Sequence, residues 1–197
     1  MKNILITGGA GFIGSNLSLR LIENGYTITV LDNLHAQIHG ADPTETSPLY
    51  RSIKDKVRFI RGDVTNKNDW KTALENQDIV VHLAAETGTG QSMYEVERYT
   101  NVNVLGTSIL LDYLTNQKLH IQKVIVASSR AVYGEGRYFS QKSNLFFYPT
   151  NRSEADLQNG IFEIKNPSDD TEFLTVCATD EQSKIQPNSI YGLTKYH

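Results

Sequence analysis

With 197 residues, 39% of them hydrophobic and 21% charged, the chain is long enough to bury one good core plus an appendage. A net charge of −3, with both signs spread along the sequence, gives no electrostatic basis for nucleic-acid or membrane partners. Cys177 is the single cysteine, which excludes an intramolecular disulfide and any cysteine-rich metal site, and no apolar run reaches bilayer-spanning length. Nothing at the start resembles a signal peptide, so a cytoplasmic protein is expected.

Residues 2–23, KNILITGGAGFIGSNLSLRLIE, read as a buried strand (Ile4-Leu5-Ile6), a glycine turn and an amphipathic helix with Ile13, Leu17 and Leu21 on one face. Gly8, Gly11 and Gly14 recur every third residue, and Gly9, Gly11 and Gly14 also satisfy G-x-G-x-x-G. In that context the pattern predicts the opening βα unit of a dinucleotide-binding fold, with a diphosphate seated on free amides at the helix N-terminus. Asn24-Gly25 stops the helix, and a second strand over 26–31 ends at Asp32, close to where an acidic residue accepts hydrogen bonds from an adenosine ribose. A carboxylate there repels a 2′-phosphate, which favours NAD over NADP.

Residues 33–56 are polar and broken by Pro43 and Pro48, so they are expected to form a loop with at most a short helical piece. Within them His35 and His39 are expected to be solvated loop histidines rather than a metal pair. A third strand at 57–60 leads into Asp63-Val64, a short helix covers 66–75, and 78–85, DIVVHLAA, is a fourth strand in which His82 is expected to be a hydrogen-bonded core residue. Residues 87–90 then form a flexible loop, 92–116 a long helix holding Asn103 within its apolar pattern, and 124–129 a fifth strand ending in Ser128-Ser129. Asn103 is expected either to bond neighbouring main chain or to present its amide to the cofactor site. Strands alternating with helices predict an α/β fold, a Rossmann-type doubly wound parallel sheet.

GGAGFIG at 8–14, Asp32, Asp63-Val64, HLAA at 82–85, NVLGT at 103–107, SSRAVYGEG at 128–136 and Tyr191-x-x-x-Lys195 occur in an order that resembles the extended short-chain dehydrogenase/reductase family. The resemblance is to its NAD-dependent nucleotide-sugar epimerases and dehydratases, and covers almost the whole chain outside 138–186. LDNLHAQIHG and HLAAETGTGQSMYEVERY are most similar to 4-epimerases acting on nucleotide-linked hexoses, of the dTDP-rhamnose type.

The resemblance implies roles for individual residues. Tyr191 would remove the proton of the sugar 4-hydroxyl as C4 passes a hydride to NAD, and the 4-keto sugar would then rotate and take the hydride on its other face. Lys195, one helical turn on, would favour the phenolate, and Ser129 would hold the reacting hydroxyl. Cofactor contacts map onto the turn (Gly8, Gly11, Phe12, Ile13, Gly14), the ribose (Asp32, Asn33) and adenine (Asp63, Val64). Leu83, Ala84, Ala85 and Thr87 after the fourth strand, Asn103, Ser128, Tyr191 and Lys195 complete the set. Where the family's 4,6-dehydratases carry an Asp-Glu pair, this chain has Arg130 and Ala131, so epimerisation is expected first and a one-way 4-ketoreductase or dehydrogenase second. A non-catalytic NAD-binding module is the alternative from another class, disfavoured because a sensor has no need of a general base.

The expected organisation is an NAD-binding core over 1–137, a small insert over 138–186 and the start of the catalytic helix over 187–197. The insert is expected to be irregular or short β structure, with 162–164 and 173–176 as hairpin candidates and no zinc. Because the chain ends at His197, inside a helix that continues in relatives, it is expected to lack the substrate domain and to turn over little or no nucleotide sugar alone. The complete protein is expected to be a homodimer.

Overall fold

The computed structural model describes residues 2–197, and the chain divides into two compact units. One comprises the chain through Thr87 with Val96–Ala127, the other Gly88–Glu95 with Ser128–His197.

The first unit opens with β1 (Asn3–Thr7), α1 (Phe12–Glu23) and β2 (Thr27–Asp32). Three short helices follow, α2 (Ala36–His39), α3 (Pro43–Thr46) and α4 (Pro48–Ile53), then β3 (Arg58–Arg61), α5 (Lys67–Leu74) and β4 (Ile79–His82). After α6 (Thr89–Ser92), which belongs to the second unit, the chain returns through α7 (Val96–Tyr99), a π-helical segment Thr100–Leu105, α8 (Gly106–Asn116) and β5 (Lys123–Val126). The five strands pair in parallel in the order β3-β2-β1-β4-β5. β1 is central, and the chain crosses from one side of it to the other between β3 and β4, the topological switch at which such sheets bind ligands.

Alternate residues of these strands feed two apolar layers. Leu5, Leu31 and Val80 pack with Trp70, Leu74, Ile109 and Leu110 on one face. Ile4, Ile6, Ile28, Val30 and Val81 pack with Ala10, Leu34 and Ile53 on the other. Each such side chain stabilises the fold by about 1.5–3 kcal/mol as an upper estimate, which makes the sheet a rigid frame for the loops at its C-terminal edge. Trp70 is fully buried and its indole N–H donates to Val64 O at 2.6 Å, so the residues just after β3 are fixed by α5. His82 is the expected core histidine, bonded to Thr7 Oγ1 at 2.6 Å and Thr107 Oγ1 at 3.1 Å.

Several expectations are corrected. Residues 33–56 are not a loop: Asp42 and Ser47 cap α3 and α4, and Pro43 and Pro48 stand at their first positions, where a missing N–H costs nothing. The prolines start helices there rather than break them. The long helix over 92–116 is instead α7, the π-helical segment and α8, and Thr89 and Gly90 lie in a turn of helix rather than a loop. His39 is buried, with Nδ1 2.9 Å from Ser47 Oγ and Nε2 3.8 Å from Asp32 Oδ1, because α2 turns it inward. β4 and β5 end three residues short of their expected limits.

The second unit contains, besides α6, a 3-10 turn Arg130–Tyr133, β6 (Tyr138–Ser140), β7 (Leu145–Phe147), α9 (Glu154–Gln158), β8 (Lys165–Asn166), β9 (Asp169–Phe173), β10 (Thr175–Val176) and α10 (Ile190–Tyr196). β6 pairs antiparallel with β7 and β10, and β8 with β9. The hairpin expected between 162–164 and 173–176 is therefore shifted to β8 and β9. A buried polar knot replaces an apolar core there: Glu172 accepts from the Ser140 hydroxyl at 2.8 Å, the Asn166 amide at 2.7 Å and the Lys142 N–H at 3.1 Å. Ion pairs Lys142–Asp169, Arg137–Asp180 and Arg152–Glu135 tie the surrounding loops. No helix among the described residues is long and apolar enough to cross a membrane.

Candidate functional site

A cavity of about 440 Å³ lies in the first unit, over the glycine turn between β1 and α1. Gly8 has φ +66° and donates its N–H to Leu31 O, and a Cβ on it would lie 2.8 Å from Ala84 N. Glycine is thus required by both conformation and neighbour. Gly11 differs: it is the N-cap of α1 with an ordinary extended backbone, φ −71°, and a Cβ there would meet nothing nearer than Gly8 O at 3.3 Å. Since Gly11 lines the cavity, a side chain would fill the space in which a ligand approaches the helix N-terminus. That bare cradle suits a dinucleotide diphosphate. Phe12 and Ile13, 75% and 67% exposed, and Gly14 lie beside it on the wall.

The β2 side contributes Asp32, Asn33 and α2. Asp32 is buried, and its two oxygens accept the Ala10 N–H at 2.9 Å and the Leu34 N–H at 2.8 Å. It therefore ties the glycine turn to the sharp bend at Leu34, a non-glycine residue at φ 55°, while still lining the cavity. Asn33 donates its amide to Asp63 Oδ2 at 2.9 Å. Burial opposes the Asp63 charge, but hydrogen bonds from the Thr65 N–H, the Asn33 amide and the Thr65 hydroxyl, with His35 nearby, hold its carboxyl below the ordinary range. Asp63 itself does not line the cavity; its neighbours Gly62 and Val64 do.

On the β4 side, Leu83, Ala84, Ala85, Glu86 and Thr87 form the wall. Asn103 is buried behind it rather than facing the cavity. Its Oδ1 accepts the Glu86 N–H at 2.8 Å and its amide donates to Glu86 O at 3.0 Å, the main-chain alternative expected for it. The fully buried Tyr99 donates to Thr87 O at 2.7 Å. The reading of the sequence missed Glu86, Arg98, Val102 and the lining residues from His35 to His39. His35 and His39 carried a detectable sign, their i, i+4 spacing, which puts them on one side of a helix.

The remaining candidates sit in the second unit. Tyr191 and Lys195 lie one turn apart on α10, which Ser189 caps by accepting the Gly192 N–H at 3.0 Å. A Cβ on Gly192 would lie 2.7 Å from Ala131 O, so α10 packs directly on the turn that follows Ser129. Ser129 Oγ accepts the Ala131 N–H at 3.2 Å, and the Ser128 hydroxyl donates to Lys195 O at 3.1 Å. The unit thereby gathers Ser128, Ser129, Tyr191 and Lys195. Burial pushes the Lys195 ammonium below the usual lysine range. Ser92, fully buried, accepts the Tyr191 N–H at 3.0 Å and donates to Thr89 O at 2.6 Å. Among the described residues no group of three or more His, Cys, Asp or Glu is placed to hold a metal ion.

Residues 4–154 match the NAD dependent epimerase/dehydratase family. The chain is similar to dTDP-L-rhamnose 4-epimerase of Burkholderia thailandensis, 36% identical over 196 residues that cover 98% of this chain and 51% of that protein. It is also similar to the bifunctional UDP-glucose 4-epimerase and UDP-xylose 4-epimerase 3 of Arabidopsis thaliana, 35% identical over 68% of this chain and 38% of that one. Among solved structures, UDP-glucuronic acid 4-epimerase from Bacillus cereus, in complex with UDP-glucuronic acid and NAD, superposes with a TM-score of 0.68 at 28% identity, over 98% of this chain and 49% of that one. The chain thus spans about half the length, or less, of the relatives it matches. The cradle at Gly11, the parallel sheet with its switch at β1 and the match over residues 4–154 place this chain in the NAD dependent epimerase/dehydratase family.

Proposed function

We propose that the chain carries the cofactor half and the proton-transfer residues of an NAD-dependent nucleotide-sugar 4-epimerase, and that its substrate is a dTDP-linked deoxyhexose. The observation that carries the reading is α10, which presents Tyr191 and Lys195 from a helix packed on the turn of Ser129. A fold that only sensed a nucleotide would have no use for that arrangement. The likeness to dTDP-L-rhamnose 4-epimerase along 98% of the chain supports the substrate class.

When bound, NAD supplies the hydride acceptor and donor for C4 of the sugar. The chain's own residues do the rest. The α1 N-terminus and Gly11 take the diphosphate, and Asp32 and Asn33 take the adenosine ribose. Tyr191 removes and returns the 4-hydroxyl proton, Ser129 orients that hydroxyl, and Lys195 stabilises the phenolate. Burial of Lys195 matters here: a partly desolvated ammonium interacts more strongly with a nearby anion than a hydrated one. The whole protein is proposed to work as a cytoplasmic homodimer, where NAD and nucleotide sugars occur.

The test begins with acid denaturation of the purified chain and mass identification of released nucleotide, followed by titration of the stripped chain with NAD and NADP. NAD recovered, or bound in preference to NADP, supports the cofactor reading; no nucleotide and no titration signal overturns it. In the protein at the full length of its relatives, Tyr191→Phe is expected to lower kcat by at least about a hundredfold, a typical contribution of acid–base catalysis, with NAD still bound. Unchanged turnover removes Tyr191 from the reaction, and no turnover in the unaltered full-length protein leaves the binding-module reading. NAD consumed in step with product, rather than regenerated, selects the ketoreductase or dehydrogenase instead.

A further inference from the structure

β2 and β4 flank β1 in the sheet. The segments leaving β2 and β4 are therefore the two banks of a crevice, and the glycine turn leaving β1 is its floor. With neighbouring strands about 4.8 Å apart, the banks stand roughly 10 Å from each other. Arg98 joins them. Arg98, on α7, places Nη2 2.6 Å from Glu86 Oε2 on the β4 bank and 3.3 Å from Gln37 Oε1 on the β2 bank. All three residues line the cavity, and Arg98 and Glu86 are 29% and 16% exposed.

The two ends of this bridge are unequal. Glu86 is fixed through its main chain by Asn103 on both sides of the residue, and Thr87 is fixed by Tyr99. Gln37, by contrast, is exposed on α2, a helix of four residues, and its contact with Arg98 is the longer one. The bond to Glu86 is a short, partly desolvated ion pair, whereas the bond to Gln37 runs from the same guanidinium to a neutral amide oxygen, is longer and lies at the exposed end.

From this asymmetry we infer that Arg98 is a further part of the cofactor site: a bar anchored on Glu86 and latched on Gln37 that spans the crevice above the diphosphate cradle and must unlatch for a dinucleotide to enter or leave. The inference rests on the proposed cofactor reading.

A bar and an ordinary binding contact make different kinetic predictions. Loss of a contact made only in the bound state raises dissociation alone and weakens affinity by the same factor. Loss of a bar speeds both entry and exit. In stopped-flow mixing of the stripped chain with NADH, followed by nicotinamide fluorescence, Gln37→Ala and Arg98→Met are each expected to raise association and dissociation rates together. The rise should be about tenfold for Arg98→Met, which removes both ends of the bar, and about threefold for Gln37→Ala, which removes only the longer one, with Kd moving by less than about threefold. Gln37→Ala alters an exposed side chain and leaves the fold intact, so a folding defect in Arg98→Met does not remove the test. Unchanged rates in both variants, or faster dissociation without faster association, overturn the bar while leaving the cofactor reading standing. Failure of the unaltered chain to bind NADH overturns both.

Discussion

The two units solve the problem of holding loops in place by different physics. In the first, ten or so aliphatic side chains alternate across a parallel sheet, with buried polar pairs such as Thr7 and His82 set among them. In the second, the strands are two to five residues long, and the buried centre is a carboxylate, Glu172, surrounded by donors. Apolar burial is indifferent to pH, whereas a knot of carboxylates and ammonium groups is not. The first unit is held chiefly by apolar burial, with carboxylates such as Asp32 and Asp63 tying its loops; the second depends far more on contacts that solvent conditions can loosen.

The comparison is broken most severely at Trp70. Trp70→Ala removes a fully buried ring and the bond to Val64 O, and is expected to lower the stability of the first unit by about 3–5 kcal/mol in chemical denaturation, enough to unfold it at moderate temperature. A loss below 1 kcal/mol would contradict the account of the sheet as the load-carrying frame. Gly11→Val should do the converse. Its backbone conformation suits any residue, so the melting temperature should hold within a few degrees, while NAD affinity in calorimetric titration falls more than tenfold because the cradle is filled.

Acid sharpens the contrast. The Lys142 hydrogen bond holds the Asp169 carboxyl down to about 2. Ion pairing with Lys165 and bonding from Asn166 likewise depress Asp156 and Glu172. Each group has a lower pKa folded than unfolded, so the unfolded form takes up protons first as the pH falls. The stability these contacts add is complete above about pH 5 and is lost as the pH falls through the depressed values of the folded groups. Limited proteolysis between pH 5 and 2.5 should accordingly cut within 138–186 before it cuts the sheet; simultaneous cutting of both would refute the distinction. The smallest effect is expected from Lys195→Met, which removes a partly buried ammonium and should leave thermal stability within about 1 kcal/mol of the unaltered chain.

Much of the first unit was legible because its information is local. The strand before Gly8, the helix after Gly14 and the acid at Asp32 declare themselves through spacing alone, and the sheet follows from alternation. What stayed hidden depends on distant segments meeting. Gln37, Glu86 and Arg98 carry no pattern; they become one feature only because the strand order sets the ends of β2 and β4 on either side of β1. The same holds for the second role of Asp32, whose carboxylate serves two main-chain amides at once. Pro43 and Pro48 misled because a proline signals the start of a helix as readily as its end, and the deciding residues, Asp42 and Ser47, precede them by one position. The insert was least legible since segments of two or three paired residues leave no period to read.

The bond from Tyr191 to Ser92 joins residues 99 positions apart. A helix of seven residues has little tendency to persist by itself, so its first turn depends on a hydroxyl contributed early in the chain and an N-cap contributed late. Closing so long a loop carries an entropic penalty that local contacts do not. During synthesis, α6 emerges before most of the second unit exists, and it waits for α10. The residue proposed to carry the proton is consequently held by a contact that can form only once both ends of that long loop exist.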